Sequence, residues 1–257
     1  GLEDFLGLKL FDRSSGRLEP TDAGRRYLAR IEPALREIEA ATAALKPEDG
    51  RAAVRLTLPP SLAVTWLIPR LGRLEAAHPE IDLQIVATTR TLDLARDRID
   101  AAIRYGSGPW PKVDATFLFD DLATPVAAPG LIASGADPAE ALAKVRLIVN
   151  RAIPGEWPEW TRARGFEPPP LDDALALDTV EQTLSAAEAG HGVAMGRSPY
   201  IEPRVASGVL ATPFGAAGPT GAAYHLCRPA GAAPTAPARR LMRWLEAEAQ
   251  DYAGGVA

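Results

Sequence analysis

The stretch that decides the fold runs from Arg51 to Val86 and reads RAAVRLTLPPSLAVTWLIPRLGRLEAAHPEIDLQIV. Apolar residues alternate with other residues up to Leu58, which predicts a β-strand. A Pro-Pro-Ser turn follows, and leucines at helical spacing predict a helix from Ser61 to about Ala77. A second strand is expected over Ile81 to Val86. Strand, helix and strand in this order are typical of two parallel strands joined by a right-handed crossover.

The alternation of helices and strands continues to the end of the chain. A short helix is expected at 92–98 and a third strand at 100–103. Further strands are expected at 124–127, 147–150, 174–177, 191–196, 209–213 and 222–227, and further helices at 179–189, 199–207 and 236–250. Because these strands are too many for one short sheet, we expect two α/β lobes. Ligands of such sheets bind beyond the carboxyl ends of the strands, which here predicts a cleft between the lobes.

A different pattern precedes this region. From Tyr27 onward, apolar residues recur in steps of three and four, which is a heptad seam. So narrow a stripe favours a helix that pairs with another helix from a second copy of the chain. An amphipathic helix lying on its own domain is the alternative. The sequence KPEDG at 46–50 then predicts a linker and a domain boundary. The expected dimerisation residues are Leu28, Ile31, Leu35, Ile38 and Leu45.

Composition narrows the class of protein. The chain has 257 residues, of which 47% are hydrophobic, and its net charge is -5. No apolar run approaches the roughly 18 residues of a spanning helix, and no signal segment is recognisable, so neither export nor membrane insertion is expected. The single cysteine, Cys227, fits a reducing cytoplasm. An acidic chain does not bind nucleic acid with its whole surface, although a local basic patch lies between Lys9 and Arg30.

Catalytic chemistry has little support in the sequence. The three histidines are isolated from one another and from carboxylates at ligand spacing. The glycines of GHGVAMG, at 190–196, flank a strand and do not open a helix, which disfavours a dinucleotide site. The pairs Asp120-Asp121 and Asp172-Asp173 are interpreted as helix caps or solvated turns. We therefore expect no enzyme activity, no cofactor and no metal site.

Several segments in the same order carry a family resemblance. GLEDFLGLKLFDRSSGRLEPTDAGRRYL at 1–28 resembles the second half of the winged helix-turn-helix of LysR-type transcriptional regulators. TWLIPRLGRLEAAHPEIDLQI at 65–85, IDAAIRYGSGPWP at 99–111, GHGVAMG at 190–196 and RRLMRWLEAEA at 239–249 resemble the effector domain of the same family. Of these, the segments at 65–85 and 99–111 are similar to the branch of the family that contains glycine-cleavage activators and beta-lactamase regulators.

The resemblance implies an organisation in three parts. Residues 1–20 are expected to form the C-terminal part of the winged helix-turn-helix, and residues 21–50 the linker helix and hinge. Residues 51–257 are expected to form an α/β effector domain of the two-lobed type 2 periplasmic-binding-protein fold. Lobe I would comprise about 51–122 and 222–257, and lobe II about 123–221. The resemblance also implies that the chain forms dimers through the linker helix, and that these dimers often pair into tetramers. It further implies that the first helices of the DNA-binding domain and most of its recognition helix lie upstream of Gly1.

The resemblance also implies roles for individual residues. The wing residues expected to contact DNA are Arg13, Ser14, Ser15 and Arg17. The two arginines would reach phosphate or the minor groove, and such contacts carry little sequence information. The alternative is that one of them holds the turn by a salt bridge to Asp12 or Glu19. The residues expected to line the effector cleft are Ser61, Thr88, Thr89, Asp93, Tyr105, Gly106, Asp178, Thr179 and Tyr224. Each of these has an alternative role as a helix cap, turn or packing residue. The sequence departs from the family pattern at Pro20, where the family more often has leucine. Thr21, which follows, is the expected N-cap of the linker helix.

Together these features predict a cytoplasmic transcription factor that binds promoter DNA and senses a small molecule. An amino acid, an organic acid or a cell-wall fragment would suit the interlobe cleft. The main alternative is a solute-binding protein of a transporter, which shares the two-lobed fold. That class normally has a signal peptide and lacks a heptad helix and a basic wing before its first strand.

Overall fold

The computed structural model of the chain describes residues 1–12, 19–45, 51–133 and 135–256. It divides into two compact units, Gly1–Gly50 and Arg51–Ala257. In the described part of the chain, no helix has the length and apolar character that crossing a membrane requires.

The first unit is small, and its described residues form two helices and a two-stranded ribbon. Its elements are α1 (Leu2–Leu6), β1 (Phe11–Asp12), β2 (Glu19–Pro20) and α2 (Asp22–Leu45). Strands β1 and β2 pair antiparallel. The four predicted wing residues, Arg13, Ser14, Ser15 and Arg17, lie outside the described residues. Their contact with DNA stays a prediction.

Thr21 fixes the start of α2. The backbone N–H of Gly24 donates to Oγ1 of Thr21 at 3.0 Å, and the Thr21 hydroxyl donates to the carbonyl of Lys9 at 2.8 Å. The predicted N-cap is therefore confirmed. A Cβ at Gly24 would lie 2.1 Å from the carbonyl oxygen of Leu10, so the helix packs against this backbone only because residue 24 is glycine.

The predicted heptad seam runs along α2. Leu28, Leu35 and Ile38 are 49%, 53% and 62% exposed in the single chain. Ile31 is partly buried. The side chain of Leu45 is outside the described set. The exposure of Leu28 and Leu35 leaves these side chains available to a partner, but pairing of the seam with a second copy stays a prediction.

The second unit is built on one large sheet. Its strands are β3 (Ala52–Leu58), β4 (Ile81–Ala87), β5 (Ala101–Gly106), β6 (Val113–Val126), β7 (Leu147–Asn150), β8 (Leu175–Leu177), β9 (Val193–Arg197) and β10 (Gly218–Pro229). Its α-helices are α3 (Pro60–Leu62), α4 (Leu71–Ala77), α5 (Pro138–Leu142), α6 (Glu156–Arg162), α7 (Val180–Glu188), α8 (Glu202–Ala206) and α9 (Ala236–Val256).

The order of the strands explains the two lobes. Across the sheet the order is β4-β3-β5-β10-β6-β9-β7-β8. Strand β3 is parallel to β4 and β5, and β7 is parallel to β8 and β9. The long strands β6 and β10 pair antiparallel with each other between these two groups. Each parallel group forms the centre of one lobe, and the two long strands join them.

Each lobe has an aromatic centre. Trp66 is fully buried in the first lobe, with its ring centroid 5.6 Å from that of Phe119 on β6. In the second lobe Trp157 of α6 is buried, and its indole N–H donates to the carbonyl of Ile148 at 3.0 Å. These large side chains fix the helices to the sheet on either side of the long strands.

Two predicted helices differ from the structure. The expected helix at 61–77 is a series of short pieces, with a π-turn at Ala63–Leu67 and a 3-10 turn at Ile68–Arg70 between α3 and α4. Pro69 lacks the N–H of a regular α-helix, so the turn changes its hydrogen-bond pattern there. The expected helix at 92–98 is a run of turns. Arg98 ends these turns at a φ of 54°.

Other differences lie in the second lobe and at its border. The expected strand at 209–213 is reduced to one bridge between Ala127 and Ala211, and the helix expected at 199–207 covers only α8. Strand β6 begins at Val113 and not at 124. The sequence pattern did not indicate its first part, because the charged pair at 120–121 interrupts the apolar residues. Helices α5 and α6 were not predicted. Pro158 lies in the first turn of α6, where proline is tolerated.

Candidate functional site

A cavity of about 290 Å³ lies where the two parallel groups of strands end. Leu58 of β3 and Tyr105 of β5 line it from the first lobe, and Asn150 of β7 and Arg197 of β9 from the second. The carboxyl ends of strands from both lobes therefore meet at one place. This is where ligands bind in open α/β sheets.

The structure brings together most of the residues that the sequence predicts for the cleft. The lining includes Ser61, Thr88, Thr89, Tyr105, Asp178, Thr179 and Tyr224. Asp93 and Gly106 lie outside this lining. The binding of an effector by these residues stays a proposal.

Asp93 and Gly106 have structural roles instead. The carboxylate of Asp93 is exposed and accepts the backbone N–H of Arg96 at 3.1 Å, so it caps a turn. Gly106 has a φ of 132°, which only glycine adopts without strain, and it ends β5 next to Trp110. Each residue is used to turn the chain, and a role of either one in effector binding stays a prediction.

Turns after β3 and β4 place hydroxyl groups on the first wall of the cavity, which is the wall that the first lobe forms. The backbone N–H of Thr88 donates to the carbonyl of Leu58 at 3.1 Å, which extends the pairing of β3 and β4 by one residue. The Thr88 hydroxyl then accepts the N–H of Arg90 at 3.1 Å. Ser61 follows the Pro-Pro turn and is buried. Short polar side chains at these turns place hydroxyl groups at the cavity wall.

The start of α7, in the second lobe, forms the second wall of the cavity. Thr179 caps this helix, because its side chain accepts the backbone N–H of Gln182 at 3.2 Å, and the Gln182 side chain accepts the N–H of Thr179 at 3.2 Å. This reciprocal pair is a capping box. The carboxylate of Asp178 accepts a hydrogen bond from Arg151 at 2.9 Å. The capping interpretation of Thr179 thus holds together with its place in the lining.

Tyrosines form a further part of the lining. The hydroxyls of Tyr200 and Tyr224 are 2.8 Å apart, and the rings of Tyr105 and Tyr224 have centroids 5.3 Å apart. Burial raises the pKa of all three phenols above the ordinary value. They therefore stay protonated at neutral pH and present O–H groups that both donate and accept hydrogen bonds.

The largest feature that the sequence analysis missed is a buried guanidinium. Arg197 is 3% exposed and pairs through Nη1 with Asp121, which is fully buried. Its Nη2 lies 3.4 Å from Oε2 of Glu156. Nη1 also donates to the hydroxyl of Tyr105 at 3.1 Å. The interpretation of Asp121 as a cap or solvated turn was wrong, because it lies in the middle of β6.

The pKa values of the two acids follow from this burial. Desolvation raises the pKa of Asp121, against the attraction of Arg197, the hydroxyl of Thr220 and the other donors to its carboxylate. Desolvation also raises the pKa of Glu156, to about 7, and Arg197 opposes that shift. Two carboxylates and one guanidinium are thus buried together, so one positive charge has to stabilise the ionised forms of two acids.

One signal in the sequence pointed to this network. Arg197 ends an apolar strand, VAMGR, that is buried at every position. A charge at the end of a wholly buried strand needs a buried partner of opposite sign. The partners lie 76 and 41 residues away in the sequence. A local pattern therefore indicates the need for a partner but not its identity.

The raised pKa of Glu156 predicts a dependence of stability on pH. Its pKa is 4.5 in the unfolded chain and about 7 in the folded one, so between these values the folded protein holds a proton that the unfolded chain releases. The free energy of unfolding should therefore fall as pH rises through this window. In Glu156→Gln this part of the slope should disappear. Urea denaturation at a series of pH values measures it.

The control for this experiment is Glu167→Gln, at an exposed position in the same lobe. We expect it to keep the wild-type slope. An unchanged slope in Glu156→Gln would show that Glu156 is ionised throughout the window, and would contradict the shift.

The fold and the cavity together define a class of protein. Two α/β lobes, joined by two long crossing strands, hold a cavity of small-molecule size between the ends of their parallel strands. This is the architecture of a two-lobed ligand-binding domain. In this chain a helical unit with an exposed apolar seam precedes that domain.

Comparison with known proteins identifies the family. Residues 47–250 match the family described as the LysR substrate binding domain. The glycine cleavage system transcriptional activator of Escherichia coli strain K12 is 34% identical over 216 residues, which cover 83% of this chain and 70% of the activator. The HTH-type transcriptional activator AmpR of Rhodobacter capsulatus is 32% identical over 250 residues, covering 97% and 85%. The chain belongs to the LysR family of transcriptional regulators.

Solved structures agree. The effector domain of the transcriptional regulator AmpR of Pseudomonas aeruginosa superposes with a TM-score of 0.71 at 30% identity, covering 79% of this chain and 98% of that one. CrgA, a LysR-type regulator from Neisseria meningitidis, gives a TM-score of 0.63 at 21% identity over 96% of this chain and 86% of that one, which supports the fold. The predicted family, its branch and the two-lobed fold are confirmed. The relatives are regulators and not enzymes, as expected.

Proposed function

We propose that the chain binds promoter DNA in the cytoplasm and that a small molecule in the cavity between its lobes controls this binding. The observation that carries the proposal is the cavity itself, where strand ends from both lobes contribute hydroxyl and charged groups. A ligand that contacts both walls stabilises one relative position of the lobes. A change of closure then alters the spacing of the DNA-binding units in a dimer.

The lining favours an effector with an acidic group. Arg90, Arg104 and Arg197 line the cavity, against one carboxylate, that of Asp178. Arg197 is already neutralised by its buried acids, whereas Arg90 is exposed and its backbone N–H is held by Thr88. The hydroxyls on both walls add neutral donors. Amino acids, organic acids and cell-wall fragments carry such an acidic group.

The proposed partners are promoter DNA and further copies of the chain. The basic wing at 13–17 would hold phosphate, and the seam of α2 would join two protomers. Pairing of effector domains into a tetramer is proposed from the family resemblance. A transporter's solute-binding protein is disfavoured because the named relatives regulate transcription.

Footprinting tests the control by a ligand. Amino acids, aromatic acids and cell-wall fragments are each added at saturation to the full-length regulator bound to its own promoter region. We expect at least one to change the footprint and to raise the melting temperature, because a ligand that binds only the folded protein stabilises it. If the whole panel leaves both unchanged, control by these ligands is contradicted. Asp178→Asn should weaken the response to an amino acid, because it removes the carboxylate in the lining that would bind an ammonium group.

Substitutions in the seam test the dimer. Leu28→Glu with Leu35→Glu places two charges in the proposed helix pair, and we expect a shift from dimer to monomer in sedimentation at micromolar concentration. Ala29→Glu is the matched control, since Ala29 is exposed and lies outside the seam. A double variant that sediments like the wild-type protein would exclude the seam as the dimer interface.

A further inference from the structure

A second cavity, of about 170 Å³, lies in the second unit beside α6 and the ends of β9 and β10. Arg197 lines this cavity as well as the first. Glu156, its partner in the buried network, lines only the second.

Two buried N–H groups in this lining lack an acceptor. They are Nε of Arg197 and Nε1 of Trp160, with no hydrogen-bond partner among the residues that the structure describes. The two side chains are 3% and 7% exposed. Because an unpaired buried donor is costly, the pair favours an occupant with acceptor oxygens.

Two exposed charges also line the cavity. The guanidinium of Arg164 lies 3.8 Å from the centroid of the Trp160 ring, a cation–π contact. Glu159 lies in α6, five residues before Arg164 in the sequence, and is exposed. Within the described ranges, neither Glu159 nor Arg164 has an ion-pair partner. Both charges are therefore available to a ligand.

The balance of charge decides the class of ligand. Glu156 is 3.4 Å from Arg197, longer than an ordinary charge-assisted hydrogen bond of about 2.8 Å. Arg197 is already neutralised by Asp121, and burial raises the pKa of Glu156 to about 7. One exposed acid, Glu159, and one exposed cation, Arg164, are left in the lining. A simple anion would leave the carboxylate of Glu159 without a partner. A simple cation would leave the two N–H groups unpaired.

We propose that this second cavity binds a small α-amino acid as its zwitterion. Arg164 and the indole N–H of Trp160 bind the carboxylate, and Glu159 binds the ammonium group. The occupant also contacts Arg197, which donates to the hydroxyl of Tyr105 in the first cavity. One guanidinium thus lies between the two binding sites.

Calorimetric titration of the full chain tests the proposal. The probes are glycine, L-alanine and L-serine, with acetate and ethylammonium as ligands that carry one charge each. We expect at least one amino acid to bind with a Kd about tenfold lower than either single-charge probe. Glu159→Gln and Arg164→Met should each raise that Kd about tenfold. The matched controls Glu167→Gln and Arg162→Met are exposed neighbours outside the lining and should leave it within about twofold.

Each other outcome overturns the proposal. Acetate binding as tightly as the amino acids indicates a simple anion site, and absence of binding up to tens of millimolar indicates a cavity that holds only water. Loss of binding in Asp178→Asn, with none in Glu159→Gln, places the amino acid in the first cavity. Circular dichroism of each variant confirms that it is folded. No DNA enters this test, and Asp178→Asn and Glu159→Gln distinguish binding at the first cavity from binding at the second, so it fails or succeeds separately from the proposed function.

Discussion

Arg197→Met is expected to lower the free energy of unfolding of the lobed unit by about 3–5 kcal/mol. The substitution removes the only guanidinium that Asp121 contacts in the described part of the chain, and it removes a cation beside Glu156. Both carboxylates are then buried without a counter-charge, so they take up protons or admit water. Urea denaturation followed by circular dichroism measures the loss.

A second variant separates charge from packing. In Arg197→Met combined with Asp121→Asn, the uncompensated carboxylate of Asp121 is gone, and we expect part of the lost stability to return. Arg243→Met, at an exposed position of α9, is the control and should change stability by less than about 0.5 kcal/mol. If the double variant is no more stable than Arg197→Met, the loss arises from packing and not from the buried charge.

Gly192→Ala is expected to cost about 3 kcal/mol or more. A Cβ at this position would lie 2.2 Å from the carbonyl oxygen of Arg146, and the residue has a φ of 150°. The same carbonyl accepts the N–H of Val193 at 3.0 Å at the start of β9. The chain therefore has to part β9 from its neighbour or distort the turn. Thermal unfolding measures the loss.

Gly190→Ala is the matched control for this substitution. Gly190 has a φ of 77°, but a Cβ there would meet nothing within 4 Å, so only the conformational strain of about 1–2 kcal/mol applies. Equal losses in the two variants would mean that the contact with Arg146 does not limit residue 192. The comparison explains the glycines of GHGVAMG as a helix end and a close backbone approach, which is a structural role.

Much of the fold could be predicted from local pattern. The strand at 147–150 was predicted with its observed ends, and the strands β3 and β4 to within a residue. Thr21 and Thr179 cap their helices through hydrogen bonds to residues three positions along the chain. Caps, turns and apolar alternation depend on neighbours in sequence, so a sequence alone displays them.

The candidate site could be predicted only in part. Residues at strand ends, such as Ser61, Thr88 and Asp178, line the first cavity because the topology brings parallel strand ends together. Asp93 lies near a strand end too, yet its turn directs its carboxylate to a backbone N–H. Strand order indicates which turns meet, whereas the conformation of each turn decides which side chains reach the cavity.

The sequence by itself determined the family, the alternation of strands and helices and the caps that begin α2 and α7. Only the tertiary structure decided that Asp121, Glu156 and Arg197 form one buried network, and that this guanidinium lines two cavities. The physical reason is distance along the chain. Neighbouring residues set the local conformation. The partner of a buried charge depends instead on which strands pack together, and here Arg197 and its partner Asp121 are 76 residues apart in the sequence.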